Sequence, residues 1–280
     1  MLKANNIFHE ESLEYKNVGK VLGERQAELN DLQDICEYCS VNDEKIEYDV
    51  NRFYDACVEP DVTLSDWLFA DKGNASQDVK DYVLSMLDSF TDYKENTGRV
   101  IDVSLGKYQD CAYDENSYRD KRRNYLSEMR NIDEFAAFMG SCFVDSEFSE
   151  DVVTAMRKIP DFGLHTKEIV NNLALLNDEA IMIYEKHQKN AKEAMKELAS
   201  KAKDCSGDPR HKDRLKFPFP YEVKENGENR TYIAEITCSP HLKLVRRDSN
   251  LRIYFYWYDE RIGDGKKVLI GSIGGHPYKN

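Results

Sequence analysis

A change of hydrophobic period at Cys205-Ser206-Gly207-Asp208-Pro209 constrains the fold of this chain more than any other feature. Before it, apolar residues recur at three- and four-residue steps, the mark of helices buried along one face. After it, short runs of β-branched and aromatic residues are separated by turn formers, the mark of strands. The charge balance changes at the same place. Residues 209–280 hold 14 Lys+Arg against 9 Asp+Glu, a net of +5, while the whole chain carries −13, which leaves −18 on residues 1–208. The sequence therefore predicts an α+β protein: a large, mainly α-helical, acidic N-terminal domain over 1–204, then a small, basic, mostly antiparallel β-sheet domain over 209–280.

Within the acidic part, Leu22, Leu29, Leu32, Cys36 and Cys39 share one helical face. No second CxxC completes a four-ligand zinc site, so Cys36-x-x-Cys39 reads as core. Val79, Tyr82, Val83, Met86, Leu87 and Phe90 mark a second helix, with Asn74 and Gln77 in the positions of a capping box. Residues 92–120 read as loop or short elements, and Lys121-Arg122-Arg123 as the solvated start of a further helix. From Thr166, a stripe through Leu173, Leu176, Ile183, His187 and Leu198 predicts one helix reaching about Lys203, on the order of 55 Å long. That helix is a candidate surface for homo-oligomerisation, with His187 packed in its stripe.

Seven scattered cysteines suit a reducing compartment rather than a disulfide framework. The N-terminus lacks the apolar core of a signal peptide, and there is no run of about 18 apolar residues. A cytoplasmic protein without membrane contact is expected. There is no P-loop, GxGxxG, HExxH or GxSxG, so no cofactor and no metal are expected.

The basic part reads as strands over 231–237, 241–245, 252–258 and 268–273, the last two joined by Ile262-Gly263-Asp264-Gly265, a turn whose glycines accept positive φ. Glu235-Ile236, Leu251-Arg252-Ile253-Tyr254-Phe255-Tyr256 and Val268-Leu269-Ile270-Gly271 resemble the strand sequence of RelE/HigB-type toxins over roughly residues 230–278. The resemblance implies a ribonuclease, free or ribosome-dependent, acting on mRNA with basic and aromatic side chains of the sheet and C-terminus. RNA cleavage needs a base for the 2′-hydroxyl, an acid for the leaving oxygen and cations for the phosphate. Candidate catalytic residues are His276, Tyr278 and Arg252; candidate phosphate- or RNA-binding residues are Lys243, Arg246, Arg247 and His241. Tyr254, Tyr256 and Trp257 are candidates for stacking bases. A weaker nuclease pattern joins Asp213 to Glu222-Val223-Lys224. The alternative is a non-catalytic interaction or assembly protein of the phage-defence type, binding nucleic acid or protein through the same basic sheet.

Overall fold

Four strands of three or four residues, too short to display a period, build the first sheet. The computed structural model describes residues 3–70, 72–93, 100–208, 212–225, 228–244 and 250–276. Its contacts divide the chain into two compact units, 2–122 and 123–280, the division falling inside the helix Glu115–Ser127 rather than at 205–209.

In the 2–122 unit, β1 (Asn5–Phe8), β2 (Ile46–Tyr48), β3 (Phe90–Asp92) and β4 (Val100–Val103) form an all-parallel sheet in the order β3-β2-β1-β4. Parallel neighbours need a crossover, and α1 (Gln26–Val41) supplies it between β1 and β2. Helix α2 (Gln77–Met86) precedes β3; Ser76, not Asn74, is its N-cap. Phe8, Phe53 and Phe90 pack edge-on or tilted among Tyr48 and one another. Cys36 and Cys39 are fully buried, and burial pushes both thiols up to about 12, so they serve as core.

Lys121-Arg122-Arg123 is not a solvated stretch. On α3 (Glu115–Ser127), Arg122 is fully buried and donates to both carboxylate oxygens of buried Glu44, at 2.5 and 3.1 Å. Tyr118, one turn earlier, donates to Asn6 Oδ1 at 2.8 Å, completing a polar network inside an apolar core. Arg123 makes a bidentate pair with Asp178, at 2.7 Å for both bonds.

The 123–280 unit contains α4 (Ile132–Cys142), β5 (Ser146–Phe148), α5 (Asp151–Met156), α6 (Thr166–Lys186), α7 (Ala191–Lys201), β6 (Cys205–Gly207), β7 (Lys216–Glu225), β8 (Glu228–Thr237), β9 (Pro240–Lys243), β10 (Arg252–Tyr256) and β11 (Val268–Gly274). Five strands form a mixed sheet in the order β5-β11-β10-β9-β6, with β5 parallel to β11 and the other pairs antiparallel. The expected closing hairpin is β10–β11, with a bulge at Tyr254/Phe255 and a turn whose Gly263, Asp264 and Gly265 all take positive φ. Strands β7 and β8 form a separate two-stranded ladder whose Phe217, Phe219, Ala234 and Ile236 cover Tyr254 and Leu269. On α6, Tyr184 stacks on Trp257 at 4.5 Å. Helices thus precede a mixed sheet, α5 and α6 pack against its β11, and a parallel sheet is built from strands of the 2–122 unit. The expected arrangement, a helical domain followed by a small antiparallel one, is corrected accordingly.

Two further expectations change. Cys205–Gly207, read as a linker, is an edge strand paired with β9. The single long helix is a hairpin: α6 ends at Lys186, Gln188 and Lys189 turn the chain with φ of 52° and 64°, and Asn190 caps α7 by accepting from the Lys192 and Glu193 amides. Lys186–Glu197 (2.8 Å) and Lys203–Glu168 (2.5 Å) tie the two helices antiparallel. Leu176, Ile183, Ala194 and Leu198 are buried within this chain, whereas His187 pairs with Glu197 at 2.7 Å and stays half-buried. No described helix is long and apolar enough to cross a membrane.

Glycine is required at position 271 for packing. A Cβ there would strike the Phe217 ring and lie 2.9 Å from Cys238 Sγ. Gly271→Ala is expected to destabilise the 123–280 unit by about 1–3 kcal/mol, the usual range for overpacking, read as a lower urea midpoint at unchanged slope.

Candidate functional site

Strand register gathers polar residues from distant parts of the sequence onto one face of the mixed sheet. His241 lies opposite Ser206 on one side and Tyr254 on the other, and Tyr254 lies opposite Ser272. Residues directly opposite share a face, so these four form a row across β6, β9, β10 and β11. Two residues along, Lys243, Arg252 and Gly274 form the next row. At Gly274 the missing side chain lets β11 run against α5, where a Cβ would meet the Ala155 carbonyl oxygen at 3.0 Å. The chain then places His276 over the row. Its Nδ1 lies 3.4 Å from the Tyr254 hydroxyl and its Nε2 lies 3.5 Å from Asp208 Oδ2.

The groups around His276 have distinct electrostatic states. Tyr254 is fully buried, and burial pushes its phenol up to about 12, so it remains protonated near neutral pH. His241 is 5% exposed, and desolvation lowers its pKa to about 4, outweighing its hydrogen bond to the Ser239 carbonyl. With Nδ1–H facing that carbonyl at 3.3 Å, Nε2 accepts from Ser206 Oγ at 3.1 Å. A neutral, buried imidazole does not attract phosphate as a cation, which corrects the expected role of His241.

This histidine gives a signed pH dependence. The unfolded chain takes up a proton near pH 6.5 while the folded chain resists until about pH 4, so stability present above pH 6.5 is lost as pH falls through that window. The loss amounts to about 3 kcal/mol. Acid titration of the urea midpoint should show this slope, and His241→Gln should flatten it.

The remaining expected residues divide. Arg252 shares the face with Tyr254, donates from Nη1 to the Asn250 carbonyl at 2.8 Å, and has a buried Nε with no hydrogen-bond partner among the described residues. Lys243 is paired with Asp204 at the sheet edge. Arg246, Arg247 and Tyr278 lie outside the described residues. Tyr254 and Trp257 are packed away from any base, and Tyr256 is half-buried against the β7–β8 ladder. Asp213 is exposed and 3.8 Å from Lys216, while Glu222 accepts from Asn229 across the β7–β8 ladder, and no group of metal-ligating side chains among the described residues joins the two acids into one centre. Of the segments carrying the toxin resemblance, β10 and β11 are neighbours, whereas Glu235-Ile236 belongs to the β7–β8 ladder.

A cleft of about 530 Å³ opens beside His276 and Ser272 and is lined also by Asn250 and, from α5 and the turn after it, by Asp151, Thr154 and Lys158. Its volume falls within the ordinary range for small-ligand sites. Asp208 was missed because it stood in what read as a linker. Asp151 and Lys158 were missed because only the packing of α5 on β11 brings them to the C-terminal strands. Compared with family models, curated proteins and solved structures, the chain matches none of them.

Proposed function

We propose that the 123–280 unit is a ribonuclease module whose reaction centre is the cleft beside His276. The observation that supports this most is the placement of His276 between the Asp208 carboxylate and the Tyr254 hydroxyl at the wall of an open cleft. A proton-transfer group is effective when a second group orients it and a reacting atom has room beside it. Asp208 and Tyr254 orient the ring, and the cleft provides the room. Arg252, two residues before Tyr254 on the same face, adds positive potential on the side of the sheet where negative charge would develop on phosphate.

Incubating the full chain with a single-stranded RNA and with its 2′-deoxy counterpart tests the reading. Cleavage of the RNA alone, in the absence and presence of ribosomes, is the expected result. Tight binding of both strands without any cleavage would instead support the non-catalytic interaction protein.

A further inference from the structure

Tyr254 is too deeply buried to touch a substrate, so of this pair only the half-buried His276 reaches the cleft, where transesterification needs two proton-transfer groups. The other lining residues supply candidates. Asp151, Thr154, Ala155 and Lys158 are spaced at steps of three, four and seven, so they form one stripe on α5 and the turn that follows, and all four line the cleft. Asp151 and Lys158 are both exposed, and with His276 they are the titratable groups among the described residues lining it. The two side chains start about two turns apart along the stripe, so carboxylate and ammonium can approach neighbouring groups of one nucleotide linkage from the same side of the cleft.

Resting on the ribonuclease reading, we infer that Asp151 is the second catalytic residue, the base, and that Lys158 is the cation that holds the scissile phosphate. Asp151 takes the proton of the 2′-hydroxyl as O2′ forms its bond to phosphorus. The bond from phosphorus to O5′ breaks, its electron pair stays on O5′, and the His276 imidazolium gives that oxygen a proton. Lys158 faces the non-bridging oxygens. The products are a 2′,3′-cyclic phosphate and a 5′-hydroxyl end, and no oxidant or metal enters the balance. This places half of the chemistry on α5 and the turn after it, more than 100 residues before His276.

A leaving-group substitution separates the two roles. In an RNA whose scissile O5′ is replaced by sulfur, the thiolate departs without an acid. His276→Ala should lose about 10²- to 10⁴-fold of kcat on the oxygen substrate and recover most of it on the sulfur substrate. Asp151→Asn should lose a comparable factor on both. Lys158→Ala should lower kcat/KM by about 10- to 100-fold, with Lys158→Arg restoring much of it. Wild-type cleavage that survives Asp151→Asn unchanged, or an Asp151→Asn loss rescued by sulfur, overturns the assignment while leaving His276 and the cleft standing. An absence of cleavage by the wild type overturns the ribonuclease reading and this assignment with it.

Discussion

Arg122→Ala should destabilise the 2–122 unit by about 3–5 kcal/mol, because it leaves the Glu44 carboxylate buried without its cation. The cost comes from the unpaired charge and not from the pair's intrinsic worth. Replacing both partners together, Arg122→Met with Glu44→Leu, should therefore recover a large part of the loss. Each unit contains one tryptophan, Trp67 in 2–122 and Trp257 in 123–280, so a Trp257→Phe background lets Trp67 fluorescence follow urea unfolding of the first unit alone. A double variant no more stable than Arg122→Ala would show that the network around Tyr118 and Asn6 depends on the ions themselves.

The second large effect concerns chemistry. His276→Ala should reduce the single-turnover rate of RNA cleavage by about 10²- to 10⁴-fold with the fold intact, since the ring sits at a strand end and not in the core. Asp208→Asn should cost less and act through His276, displacing the pH–rate profile without changing which linkages are cut. Near-UV circular dichroism of both variants should match that of the parent.

Which parts of this architecture were legible in the sequence follows from element length and from charge. The β10–β11 hairpin could be read because six consecutive aromatic and β-branched residues, Ile253 to Tyr258, precede a Gly-Asp-Gly turn, a local signal that tertiary context reinforces. The parallel sheet could not. Its strands are three or four residues long, β1 begins with two asparagines, and β4 follows a polar stretch, so neither period nor propensity marks them. The α6–α7 hairpin was hidden because its stripe continues through His187, and only the positive φ at Gln188 and Lys189, with the Asn190 cap, reverses the chain. Arg122 and Arg123 read as solvated because their carboxylate partners, Glu44 and Asp178, lie 78 and 55 residues away.

At the candidate site, His276 and Arg252 stand out in the sequence by charge and position, but their surroundings do not. Strand pairing brings Asp208 and Ser206 to the same face from the other side of the β7–β8 ladder, and helix packing brings Asp151 and Lys158. His241 shows the converse: a histidine among basic residues looks like a phosphate contact until its burial is known.

The most direct measurement is a histidine-ring NMR titration of the full chain with uridine 3′-monophosphate, which resembles the cleavage product and cannot itself be cut. The His276 ring resonances should move in step with saturation, and those of buried His241 should stay close to their free positions. Nucleotide binding that leaves His276 unmoved, or that shifts only resonances of the 2–122 unit, would contradict a reaction centre in this cleft.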